Sequence, residues 1–246
     1  MRMRRTIVLL LALGLSACLP PRAAKVPLDT LVYDAPAGKG RVLLVLLPGR
    51  GGAAGDFEEH GFIEAVRAAH PRVDVVAADA HFGYYAGRSL LQRVWEDVIE
   101  PREEADYEQI WLAGTSMGGF GAVVCAREYG EAVTGILLLS PYLGPDGLLR
   151  SIEEAGGAVQ WTAPQDGGDM EEVWAWLQGY ATGEPRPRIL LAFGESDRLN
   201  RGHELLSALL PEDRVWRVEG GHGWRVWDPL WPVLLEDWAC EIDSCN

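Results

Sequence analysis

Positive charge and cysteine are both scarce in this chain. Its 246 residues include 22 Lys and Arg against 36 Asp and Glu, a formal net charge of −14. That balance argues against nucleic acid as a partner, because phosphate recognition needs clustered Lys and Arg. It also disfavours attachment to anionic lipid through the protein's own surface. The 4 cysteines and 5 histidines fall into no metal-ligand spacing, so neither a metal nor another cofactor is expected. Long apolar runs are missing as well. The one at residues 6–15 is far shorter than the roughly 20 residues that span a bilayer. Internal repeats and low-complexity tracts are absent. What remains, 48% hydrophobic and 24% charged, is an ordinary globular composition, long enough to bury one substantial core. The 10 tryptophans are many, and six of them (Trp161, Trp174, Trp176, Trp216, Trp224, Trp227) lie at 161–227, a stretch where substrate contacts are sought.

The N-terminus is patterned as a targeting segment. Arg2, Arg4 and Arg5 precede the short apolar run, and small residues follow it. The end, Leu15-Ser16-Ala17-Cys18, resembles the lipobox of bacterial lipoprotein precursors. That resemblance implies cleavage after Ala17, a lipid on Cys18, and an exported protein tethered to the cell envelope, at the outer membrane in a Gram-negative cell. A plain secretory signal is the alternative. Residues 18–27, interrupted by proline, read as the tether and residues 28–246 as the folded domain. In an oxidising compartment Cys240 and Cys245 are close enough in sequence for a small disulfide loop; two unpaired thiols are the alternative. Cys125 reads as a small buried hydrophobe.

From residue 42 onward, short aliphatic runs alternate with helical patterns. Strands are expected at 42–47, 73–78, 109–113, 133–139, 189–193 and 214–218. Helices are expected at 56–69, 89–100, 117–129, 203–210 and 228–240, the first opened by an Asp56/Glu59 capping box. Strict alternation implies an α/β fold, with a mostly parallel sheet and helices on both faces. Residues 141–187 break the rhythm around a helix-like piece at 170–180 and read as a small lid-like insertion.

The chemistry-bearing motif is Gly114-Thr115-Ser116-Met117-Gly118, between an apolar strand and a helix. G-x-S-x-G in that context places a serine on a tight turn, its hydroxyl raised over a helix N-terminus. Glycine at 114 and 118 removes side chains that would collide with the neighbouring strand and helix. With Gly119-Phe120-Gly121-Ala122 following, the turn resembles the nucleophile elbow of the α/β-hydrolase superfamily, near its carboxylesterases and esterase-D-like members. The resemblance extends over nearly the whole mature chain and implies the order serine, acid, histidine.

Only His203 and His222 lie downstream of Ser116. His203 sits in a helical pattern and reads as a surface residue. His222 lies in the glycine-rich loop Gly220-Gly221-His222-Gly223-Trp224, where the superfamily presents its base. Asp197, in Gly194-Glu195-Ser196-Asp197, matches the acid, with Glu195 as the alternative; a turn or N-cap role competes for Asp197. Oxyanion donors are expected from the backbone N–H groups of Met117 and Arg50, the latter in Pro48-Gly49-Arg50-Gly51-Gly52, where many relatives carry His-Gly in place of Pro48-Gly49. His81, Phe82, Tyr84, Tyr85 and Trp224 are candidate pocket walls.

These residues imply a serine hydrolase that cleaves small carboxylic esters through an acyl-enzyme. The same triad would serve a peptidase, thioesterase or acyltransferase, and a non-catalytic binding lipoprotein on this fold is the alternative of another class.

Overall fold

A computed structural model describes residues 22–183 and 187–242. Seven strands form one sheet: β1 (Thr30–Tyr33), β2 (Val42–Leu47), β3 (Val73–Ala78), β4 (Gln109–Thr115), β5 (Gly135–Leu139), β6 (Arg188–Gly194) and β7 (Val215–Val218), in the order β1-β3-β2-β4-β5-β6-β7. All neighbours are parallel except β1, which pairs antiparallel with β3, Thr30 opposite Ala78.

The strands form where they do because both faces of the sheet are covered. In β2, Leu43, Val45 and Leu47 enter one apolar layer, while Val42, Leu44 and Leu46 enter the other. A period of two over a wholly aliphatic run buries all six residues. Each such side chain contributes roughly 1.5–3 kcal/mol when fully buried.

The helices are α1 (Asp56–Glu59), α2 (Phe62–Ala69), α3 (Phe82–Ala86), α4 (Leu90–Val94), α5 (Met117–Tyr129), α6 (Asp146–Glu154), α7 (Asp169–Leu177), α8 (Gly179–Thr182), α9 (Asn200–Ser207) and α10 (Trp224–Ile242). One layer, against α2 and α10, holds Phe62, Trp227, Trp231 and Trp238. The opposite layer, around α5, holds Val123, Trp161 and Trp174. The helix α5 approaches the sheet closely because Gly118, Gly119, Gly121, Ala122 and Ala126 are small and buried.

Several boundaries differ from expectation. The helix at 56–69 is two, broken at Gly61, whose φ of 73° is left-handed. Its capping box does not form: Gly55 is the N-cap, and Asp56 Oδ2 instead accepts the Ala53 N–H at 3.0 Å. The helix at 89–100 continues past α4 as a wide π turn, Trp95–Ile99, then a 3-10 turn that carries Pro101 rather than stopping at it. The last helix begins at Trp224, four residues early, with Pro229 and Pro232 inside it. Strand β1 and helices α3 and α6 have no counterpart in the sequence expectation. Their apolar patterns are short, and β1 is a half-exposed edge strand.

Within residues 141–187, the described helices dock onto the α5 layer. Trp174 is fully buried and donates Nε1–H to the Leu143 carbonyl at 2.8 Å. Before β1, Lys25 N–H donates to Tyr84 Oη at 3.1 Å and Leu28 N–H to Asp97 Oδ2 at 2.8 Å. No helix among the described residues is long and apolar enough to cross a membrane. Cys18 and Cys245 lie outside the described residues.

Candidate active site

Parallel strands end together, so the loops after β2, β4, β5, β6 and β7 gather at one edge of the sheet. Ser116 stands at its centre, at the end of β4. Its backbone has φ 52° and ψ −114°, a conformation that costs a non-glycine residue about 1–3 kcal/mol. Flanking hydrogen bonds hold it there: Ser116 N–H to Leu139 O and Tyr142 N–H to Ser116 O, both 2.9 Å. Crowding explains the two motif glycines. A Cβ on Gly114 would lie 2.2 Å from the Gly118 carbonyl carbon, and one on Gly118 would lie 1.9 Å from Leu47 O.

The loop after β7 brings His222 to this serine, and the turn after β6 brings Asp197 to His222. Ser116 Oγ is 2.9 Å from His222 Nε2. His222 Nδ1 is 2.8 Å from Asp197 Oδ2 and 3.0 Å from Oδ1. Burial works against ionising Asp197, but hydrogen bonds from His222 and from the Leu199 N–H outweigh it and hold the carboxyl below the ordinary carboxylate range. An ionised carboxylate only accepts, so Nδ1 carries the ring proton and Nε2 is left to accept from the serine hydroxyl. This geometry can remove a proton from Ser116 as its oxygen attacks.

The turn role that competed for Asp197 is present alongside the histidine contact. Oδ1 also accepts the Leu199 N–H at 2.8 Å, closing an Asx turn. Glu195 is exposed, its N–H bonded to Val218 O, and it does not meet His222. His203 is not a surface residue. It is fully buried, with Nε2 donating to Pro141 O at 3.0 Å and its ring against Phe193. The expectation failed because α9 buries Gly202, His203, Leu206 and Ser207, a face with a single aliphatic residue to announce it.

Gly49 lies against the serine, where an added Cβ would be 3.4 Å from Ser116 Cβ. The turn carrying Arg50 is closed by Gly52 N–H to Gly49 O at 3.0 Å. Met117 opens α5, so its N–H has no acceptor within the helix.

Two clefts meet at Ser116. One, about 460 Å³, is walled by Phe82, Tyr85, Phe120 and Tyr142, with Ala86, Met117 and Leu199. The other, about 380 Å³, is walled by Gly49–Gly52, Asp56, His222, Trp224 and Trp227. Of the five expected pocket residues, Phe82, Tyr85 and Trp224 line these clefts. His81 and Tyr84 do not. His81 caps α3, its Nδ1 accepting the Gly83 N–H at 3.1 Å, and Tyr84 is buried with its hydroxyl on the Lys25 backbone. The sequence expectation missed Phe120, Tyr142, Trp227 and Arg198. Phe120 had a signal, since four residues past the elbow serine is one helical turn above it. Among the described residues lining the clefts, Tyr142 alone comes from 141–187. No group of three His, Cys, Asp or Glu among the described residues is placed to hold a metal.

Comparison with solved structures gives the fold. The S-formylglutathione hydrolase of Staphylococcus aureus superposes with a TM-score of 0.56 at 16% identity, over 89% of this chain and 98% of that one. Est1E from Butyrivibrio proteoclasticus superposes at 0.59 with 16% identity, over 89% and 95%. The enterochelin esterase of Shigella flexneri does so at 0.57 with 19% identity, over 91% and 61%. No curated protein sequence matches the chain. The fold is that of the α/β-hydrolases. The Esterase family model matches residues 85–233, more than half the chain, and the chain belongs to that family.

Proposed function

We propose that this esterase-type hydrolase cleaves carboxylic esters through an acyl-enzyme formed on Ser116. The observation that carries the reading is the continuous chain Ser116 Oγ–His222 Nε2 at 2.9 Å and His222 Nδ1–Asp197 Oδ2 at 2.8 Å. Ser116 Oγ attacks the ester carbonyl while His222 takes its proton, and Asp197 holds the ring in the required tautomer. The Met117 and Arg50 N–H groups face the developing oxyanion. His222 then protonates the departing alcohol. In the second half, water attacks the acyl-enzyme with His222 again as base, and the acid leaves as Ser116 regains its proton.

The test is a fluorophosphonate probe and a panel of p-nitrophenyl esters applied to residues 19–246. The expected result is one label, on Ser116, with ester turnover that Ser116→Ala abolishes. Folded protein that neither labels nor turns over would refute the assignment. Labelling without turnover of any ester would refute the ester specificity.

The Leu15-Ser16-Ala17-Cys18 sequence supports a further part of the proposal, a lipid on Cys18 that tethers the enzyme to the cell envelope. The full chain should then partition into membranes; a Cys18→Ala variant that stays equally membrane-associated, with no change of mass beyond the substitution itself, would refute the lipid.

A further inference from the structure

Apart from Ser116, the two clefts share two lining residues, and both are arginines, Arg50 and Arg198. They arrive from opposite sides of β4. Arg50 comes from the turn after β2, and Arg198 from the turn after β6, next to Asp197. Neither enters an ion pair among the described residues, whereas Arg93, Arg150, Arg201 and Arg217 each meet a carboxylate. Arg67, Arg72, Arg102 and Arg225 likewise form no ion pair among the described residues, but none of them lines a cleft at Ser116. The Arg50 guanidinium lies over the Phe82 ring, 4.6 Å from its centroid. That contact engages the ring face and leaves guanidinium N–H donors for another partner.

The aromatic cleft contains no acidic side chain to satisfy them. In the other cleft, Asp56 is turned to its own loop, accepting the Ala53 N–H. A planar group with two anionic oxygens suits two guanidinium forks.

We propose that the aromatic cleft selects esters whose acyl or alcohol part ends in a carboxylate, held by Arg50 and Arg198 beside Ser116. This rests on the esterase reading of Ser116. The apolar body of the substrate packs on Phe82, Phe120 and Tyr142, and the carboxylate lies at the arginine end. Selection is by contact, because the overall negative charge of the protein repels an anion at long range.

The test compares kcat/KM for mono-p-nitrophenyl glutarate with that for p-nitrophenyl butyrate. The wild type should prefer the anionic ester. Arg198→Gln should lower that preference about tenfold, the effect of one charge-assisted hydrogen bond, and Arg198→Lys should keep part of it. Raised salt should shrink it. A wild-type ratio near one overturns the proposal, as does a ratio that Arg198→Gln leaves unchanged. Equal losses on both esters overturn it too, because they mark a general effect on the reaction.

A second measurement is independent of turnover: calorimetric binding of monomethyl glutarate to Ser116→Ala. Binding weakened about tenfold by Arg198→Gln supports the proposal, and no binding at millimolar ligand, or binding indifferent to the substitution, overturns it. Intact binding with no ester turned over by the wild type would count against the Ser116 reading alone.

Discussion

Acid should destabilise this domain through His203, on α9 just past the turn that carries Asp197. The ring is fully buried. A carbonyl can only accept, so the 3.0 Å contact with Pro141 O puts the proton on Nε2. Nδ1 is then the unprotonated nitrogen, and it has no hydrogen-bond partner among the described residues. Protonating it would create a buried charge. Burial pushes the ring down to about 4, against the opposing pull of the Asp197 charge and the Pro141 carbonyl and with the help of His222. The unfolded histidine titrates near its ordinary value of about 6.5. Between these values the unfolded chain binds the extra proton and the folded one does not, so stability falls as pH falls from about 6.5 to about 4 and is full above that window. A difference of about 2.5 units at about 1.4 kcal/mol each is about 3.5 kcal/mol. That is a large fraction of the roughly 5–15 kcal/mol that holds a domain together.

His81, lowered by burial as well, acts with the same sign. Asp197, held below its ordinary range, loses its contribution only at still lower pH. The clean measurement is therefore a difference between proteins. Urea unfolding of the wild type and of His203→Gln, at pH 7.5 down to 4.5, should give a flatter pH dependence for the variant, by about 2.5 kcal/mol over that range. Gln keeps an N–H donor for Pro141 O and does not titrate. Parallel curves for the two proteins would refute the reasoning.

Three further outcomes are expected. Asp197→Asn keeps the oxygen that accepts the Leu199 N–H but presents the wrong partner to His222 Nδ1, so kcat/KM on p-nitrophenyl esters should fall by about three to four orders of magnitude with little change in urea midpoint. Gly118→Ala forces a Cβ to 1.9 Å from Leu47 O, between two backbone segments that cannot both stay; fluorophosphonate labelling should be lost, and circular dichroism will show whether the fold survives. Phe120→Ala removes a ring that meets Tyr142 edge-on at 6.1 Å, and the ratio of octanoate to acetate turnover should rise as the aromatic cleft widens.

What the sequence made legible was local. A run such as residues 42–47 is a strand buried on both faces because nothing else hides six consecutive aliphatic side chains in so short a span. The elbow was legible because its glycines answer clashes within one turn and one neighbouring strand. What escaped depends on which way a face turns. In the loop after β3, four aromatic or imidazole side chains within five residues looked alike from the sequence. Folding into α3 separates them by helical period: Phe82, Tyr85 and Ala86 face the cleft, while Tyr84 turns inward to the Lys25 backbone. The strand β1 escaped because its partner is more than 40 residues away and its outer edge is open to solvent.

Arg198 shows the same limit most clearly. By sequence it is one exposed arginine beside a proposed catalytic acid, with no pattern around it. Its place follows from what the acid does. Asp197 Oδ2 reaches His222 while Oδ1 holds the Leu199 N–H, so one carboxylate meets the proposed base and closes the turn. The residue between Asp197 and Leu199 cannot go inward, where the buried carboxylate already sits, and its side chain is directed to the mouth of both clefts. The side chain proposed to choose the substrate is thus positioned by the one proposed to orient the base. Asp197→Ala should therefore disturb selectivity between anionic and neutral esters as well as rate, whereas Asp197→Asn, which preserves the turn, should reduce rate and leave that selectivity in place.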